Sequence, residues 1–201
     1  MIRVLLADDE ALTRGAVAAL LDLEDDLVVV GQAADGMSAL AAVRRLRPDV
    51  ALVDVEMPGL DGPRLALEVA RSAPGTRCVV LTRHARAGVL RRALANGARG
   101  FVPKTSPAAL LADVVRRVHA GGRYVDPDVA ADALSVRENP LTDRERQVLA
   151  EVGDGVTARA IARVVHLSPG TVRNYLSSAM AKLGVGTRWQ AAERARDHGW
   201  I

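Results

Sequence analysis

Four sets of polar residues stand where short apolar runs end in the first half of the chain. Asp8 and Asp9 follow Ile2-Arg3-Val4-Leu5-Leu6-Ala7, Asp54 follows Val50-Ala51-Leu52-Val53, Thr82 follows Cys78-Val79-Val80-Leu81, and Lys104 comes just after Gly100-Phe101-Val102. If these runs are parallel strands, the polar residues meet at one edge of a sheet. Asp8, Asp9 and Asp54 would then repel one another unless a hard cation or a proton neutralises them. Mg2+, which takes oxygen ligands in an octahedral shell, suits such a cluster, with the backbone carbonyl of Glu56 as a further ligand. Asp54 is the nucleophile candidate, since a carboxylate can form an acyl phosphate when nearby cations offset charge on the moving phosphoryl oxygens. Lys104 supplies one such cation, and Thr82 a hydroxyl for a phosphoryl oxygen.

Elements that could bring these residues together are legible in the same stretch. Strands are expected at about 2–7, 27–32, 50–54, 77–81 and 99–102. Between them, Leu12, Val17, Leu20 and Leu21, then Met37, Leu40, Val43 and Leu46, then Leu65, Leu67 and Val69 recur at helical spacing. After the last strand, Ser106-Pro107 predicts an N-cap and first-turn proline for a helix carrying Leu110, Leu111, Val114, Val115 and Val118. Five βα units imply a doubly wound five-stranded parallel sheet, whose ligands bind beyond the carboxyl ends of its strands.

A length of 201 residues suits two small domains. Aromatic residues make up only 2% of the chain, which argues against a site built on stacked rings. The net charge of +3 divides as +3 over residues 1–125, −3 over 126–140 and +3 over 141–201, so an acidic joint separates two mildly basic bodies. Cys78, the one cysteine, lies in an apolar run and reads as a buried small hydrophobe; no internal disulfide or cysteine-based zinc site can form. No apolar stretch reaches 18 residues and the chain enters a strand pattern at once, so a soluble, cytoplasmic protein is expected.

The expected division is 1–121, a joint at 122–140 with a short helix after Asp126-Pro127-Asp128, and a small all-helical module over 141–201. In the module, Thr142 and Glu145 have capping-box spacing. A second helix is expected around Ala160 to Val165, a third from Ser168-Pro169 to Leu183, and a fourth from Arg188 to Asp197. The short separation at His166-Leu167-Ser168 is that of a helix-turn-helix, whose second helix can enter a major groove. Val172, Leu176, Met180 and Leu183 form the expected buried stripe of that helix, leaving Thr171, Arg173, Asn174 and Ser178 mainly on its exposed sides. Asn174 or Arg173 can read base edges, while Ser168, Thr171 and Lys182 can hold phosphates. The modest charge predicts weak binding by one copy, so two copies on half-sites about 34–36 Å apart are expected.

The first half resembles the receiver domain of two-component response regulators. Asp8-Asp9 matches the family's acidic pair, Asp54 its phosphoacceptor, Thr82 its switch hydroxyl, Lys104 its lysine, and Val55 to Gly62 the loop after the phosphoacceptor. Phe101 falls where the family carries a ring that turns inward on activation. Many receivers follow the lysine with a proline; here Pro103 precedes Lys104 and Thr105 follows it, which changes that loop. The second half resembles the LuxR-type DNA-binding domain through Leu141 to Glu145, Leu167 to Tyr175 and Lys182 to Val185. The order of the halves is similar to the NarL/FixJ subfamily. The run Asn174 to Ser177 and the ending Asp197 to Ile201 resemble DesR-type regulators of membrane-lipid desaturation.

The resemblance implies a phosphorylation-dependent transcriptional regulator rather than an enzyme. A sensor histidine kinase would supply phosphoryl to Asp54, and a homodimer, pairing through Thr187, Ala191 and Arg194, would bind double-stranded promoter DNA. Phosphohydrolases that form aspartyl phosphates share the acid cluster. Here, however, no insertion large enough for a substrate cap separates the strands, and Glu56 stands where their second aspartate would be.

Overall fold

The computed structural model describes residues 1–84, 86–134, 139–153 and 155–201. The chain forms two compact units, the first of residues 1–84 and 90–132 and the second of residues 86–89 and 133–201. Residues 135–138 of the expected joint lie outside the described residues.

Up to His119 the chain alternates strands and helices: β1 (Ile2–Ala7), α1 (Ala11–Leu21), β2 (Leu27–Ala33), α2 (Gly36–Leu46), β3 (Val50–Asp54), α3 (Gly62–Ser72), β4 (Arg77–Thr82), α4 (Ala87–Ala95), β5 (Gly100–Pro103) and α5 (Ala108–His119). All five expected strands are present and parallel, in the order β2-β1-β3-β4-β5. A sixth strand, β6 (Tyr124–Val125), pairs in parallel with β5 through Gly100 and Phe101, within the stretch read as a joint. The helix α6 (Pro127–Leu134) follows it.

Every residue of β3 is buried, as expected for a central parallel strand covered by helices on both faces. Alternate residues Val4, Leu6, Leu52, Leu81 and Val102 share one core with Ala18 and Leu21 of α1 and Val115 and Val118 of α5. Cys78 is buried as expected, and burial pushes its thiol up to about 12. Helix periodicity misjudged part of the other faces. Leu12 is 87% exposed and Met37 61%, while Ala18 and Leu21 of α1 and Ala39, Leu40 and Val43 of α2 form the buried faces. The Ser106-Pro107 expectation also shifts by one residue: Pro107 itself is the N-cap of α5, with no side-chain capping bond.

The second unit is all-helical: α7 (Asp143–Ala150), α8 (Ala158–Val164), α9 (Pro169–Leu183) and α10 (Arg188–Asp197). The capping box of Thr142 and Glu145 forms as expected, and a second one, from Thr187 and Gln190, starts α10. Ser168 caps α9 by accepting from the Thr171 amide. The expected stripe Val172, Leu176 and Leu183 is buried, joined by Ala179, with Met180 packed beside it. Among the described residues, no helix is long and apolar enough to cross a membrane.

Two glycines test this packing. A Cβ on Gly62, at the start of α3, would stand 2.2 Å from the carbonyl oxygen of Asp54, whereas Gly15, inside α1, has nothing within 4 Å of that position. Gly62→Ala is expected to lower the free energy of urea unfolding by about 1–3 kcal/mol through forced backbone displacement. Gly15→Ala is expected to raise it by about 0.5–1 kcal/mol through reduced chain entropy.

Candidate functional site

Parallel register sets the site. β3 runs beside both β1 and β4, with Val53 opposite Ala7 and Asp54 opposite Leu81. Asp8 therefore leaves the sheet next to Asp54, and Thr82 ends the strand on the other side. The loop after β5 returns over this edge, fixed by the Lys104 amide donating to the Thr82 carbonyl at 2.7 Å.

The Lys104 ammonium lies 2.7 Å from Asp8 Oδ2 and 2.9 Å from Asp54 Oδ2, with all three side chains largely buried. These contacts pair charge with charge, although neither has the angle of a directed hydrogen bond. Burial pushes the Asp54 carboxyl up, Lys104 pulls it down and the Asp8 charge pushes it up again; the balance stands above the ordinary carboxylate value. Burial acts against the Lys104 charge, but Asp8 and Asp54 more than offset it, and its pKa is raised. Asp9 is exposed, yet one carboxylate oxygen from each of Asp8, Asp9 and Asp54 lies within 4.8 Å of the others. Three carboxylates against one ammonium leave a deficit of two positive charges, which a divalent cation matches.

The remaining residues expected at this edge sit as follows. Thr82 is buried, and its hydroxyl donates to the His84 carbonyl at 3.0 Å while accepting from the His84 amide at 3.1 Å. Phe101 is fully buried, with its ring already inside the core. Glu56 is exposed in the loop beyond β3. Residues that sequence reasoning passed over also shape the cluster. The Glu10 amide donates to Asp8 Oδ1 at 2.9 Å, and Arg14 Nη1 donates to the Asp8 carbonyl at 2.6 Å. Proximity to the acidic pair was the one available signal for both.

In the second unit, Arg173 and Asn174 are exposed on α9, and neither side chain has a hydrogen bond or ion pair with a described residue. Ser168 and Thr171 hydroxyls bond each other at 2.8 Å in the N-terminal cap of α9. Ser178 and Lys182 belong to an internal network that sequence reasoning did not anticipate. Glu145 of α7 is buried, and its carboxylate accepts from Ser178 Oγ at 2.7 Å, from Lys182 Nζ at 2.8 Å and from the Thr142 amide at 2.6 Å. Capping-box spacing disclosed only the last of these bonds. Of the residues expected to pair two copies, Ala191 is buried at 0% exposure in the module's own core. Thr187 and Arg194 are exposed, and Arg194 donates to the Leu183 carbonyl at 2.6 Å.

Burial alone would raise the Glu145 carboxyl; Lys182, then Ser178 and Thr142, outweigh it and hold it down to about 2, against an ordinary 4.5. A depressed carboxyl contributes stability that is fully present above its unfolded value and is lost as pH falls through its folded one. The shift corresponds to roughly 3 kcal/mol. The second unit is therefore expected to lose that stability between about pH 4.5 and 2, and Glu145→Gln to remove most of this dependence in urea titrations at pH 7 and pH 3.

Known proteins share this arrangement. A family model of the response regulator receiver domain matches residues 4–116, and one of the luxR family of bacterial regulatory proteins matches residues 139–195. The chain is 41% identical over 203 residues to the transcriptional regulatory protein DesR of Bacillus subtilis (strain 168), with 100% of both chains covered. It is 40% identical over 203 residues to the response regulator RamR of Streptomyces coelicolor, covering 100% of this chain and 98% of that one. A crystal structure of the response regulator ChrA of a heme-sensing two-component system is 32% identical, with a TM-score of 0.60 over 100% of this chain and 98% of that one. The carboxylate pocket and the helix-turn-helix thus belong to a response regulator of the receiver-plus-LuxR type, a DNA-binding transcriptional regulator of a two-component system.

Proposed function

We propose that Asp54 accepts a phosphoryl group from a phosphohistidine of a sensor kinase and that the resulting acyl phosphate controls pairing of two copies on promoter DNA. The observation that carries this reading is the Lys104 ammonium held within 3 Å of both Asp8 and Asp54. A carboxylate oxygen of Asp54 attacks phosphorus, the phosphorus–nitrogen bond breaks, and the histidine leaves with its electron pair. Lys104 is already placed against the acceptor, so its charge needs no reorganisation as the phosphoryl oxygens arrive. Asp8, Asp9 and Asp54, with the Glu56 carbonyl, would hold Mg2+, which when bound supplies charge neutralisation for the incoming phosphoryl group.

Phosphorylation adds about one negative charge to a side chain that already carries one. Thr82 would exchange its His84 partners for a phosphoryl oxygen, and the edge carrying Phe101 and Lys104 would respond. In the second unit, Arg173 and Asn174 would read base edges, with Ser168 and Thr171 on phosphates. Ser178 and Lys182 would support the recognition helix through Glu145 and add to the phosphate contacts. Exposed Thr187 and Arg194 would serve pairing. The pathway we propose is control of membrane-lipid desaturation, supported by the likeness to DesR and by the Asn174 to Ser177 run and the chain's ending.

An acyl-phosphate donor is expected to raise both dimerisation and retention of a duplex with paired half-sites in the wild type and neither in Asp54→Asn; equal values in the two proteins would refute the switch. Substituting Arg173 and Asn174 together by Ala is expected to abolish selective retention, each lost base contact being worth about 1–3 kcal/mol. Genome-wide mapping of DNA bound by the phosphorylated protein is expected to find sites upstream of desaturase genes.

A further inference from the structure

Arg83 Nη2 lies 2.6 Å from Glu10 Oε1. Arg83 directly follows β4 and Glu10 comes three residues after β1, while β3 lies between those strands in the sheet. The pair therefore spans two strand spacings, about 10 Å, across the carboxyl end of β3, where Asp54 sits. Its two halves are held unequally. Glu10 is built in: its amide donates to Asp8 Oδ1 and its second carboxylate oxygen accepts from Thr13 Oγ1 at 3.0 Å. Arg83, 53% exposed, has Glu10 as its one charged or hydrogen-bonded partner among the described residues.

Resting on Asp54 as the acceptor, we propose that Arg83 is a second phosphoryl-binding cation, parked by Glu10 above the acceptor and transferred to the phosphoryl oxygens when they arrive. An exposed ion pair is weak and easily broken. A phosphoryl group offers the guanidinium more charge and a geometry that its planar fork fits bidentately. Lys104 then meets the phosphoryl group from the buried side and Arg83 from the solvent side.

The test follows acyl-phosphate formation on the full-length protein with phosphoramidate as donor, and its decay after donor removal. Arg83→Ala is expected to slow formation and shorten the lifetime by about threefold to tenfold, the loss of one charge-assisted contact. Glu10→Gln, which frees Arg83, is expected to shift both quantities the opposite way, and Arg83→Lys to retain more than half of the wild-type rate. Wild-type kinetics in Arg83→Ala would overturn the proposal. So would changes of the same sign in Arg83→Ala and Glu10→Gln, which would make the pair a mere lid. Asp54→Asn serves as control: if it still forms an acyl phosphate, the acceptor assignment fails, whereas an inert Asp54→Asn with unresponsive Arg83 variants removes this proposal alone.

Discussion

Two buried carboxylates at the ends of adjacent strands cannot both be ionised without a counter-charge, and Lys104 supplies it to Asp8 and Asp54 together. Much of the first unit's architecture serves that contact. The strand order places β1 directly beside β3, and the lysine arrives from two strands beyond, in the loop after β5. Because the Lys104 amide is bonded to the Thr82 carbonyl, the loops after β4 and β5 share one backbone anchor. Any charge added to Asp54 therefore acts on a lysine already committed to two carboxylates, and through it on the strand ends either side.

The second unit handles a buried acid in the opposite way. Glu145 is satisfied by three donors and held at about 2, while Asp54 is left above the ordinary carboxylate value by burial that Lys104 only partly offsets. A carboxylate saturated by hydrogen bonds is a structural anchor, here joining α7 to α9. One with a single cation is left short of counter-charge, the kind of perturbed carboxyl that clusters at functional sites. The Glu145 network also partitions the surface of α9: it engages Ser178 and Lys182, while the side chains of Arg173 and Asn174 have no partner among the described residues.

Strand positions were legible because a buried parallel strand is a continuous apolar run, and each of the five was placed to within about one residue of its observed bounds. Helix faces were less legible. Leu12 and Met37 satisfy a 3.6-residue period, yet they stay exposed while Leu21, Leu40 and Val43 of the same helices are buried beside Ala18 and Ala39. The two residues of β6 carry no periodicity at all, and only the hydrogen bonds to β5 define them as a strand.

The sequence alone determined the chemistry available at each strand end, because residue type and the alternation of apolar runs with helical patterns are local properties. It likewise determined the caps at Thr142 and Ser168, which depend on spacings of three residues. Tertiary structure decided which polar groups meet. Glu145 finds Ser178 and Lys182 at separations of 33 and 37 residues, Arg83 reaches back to Glu10 across the sheet, and Ala191 enters the module's own core. Such pairings are set by strand order and helix packing, which bring distant residues together at distances that no local period encodes.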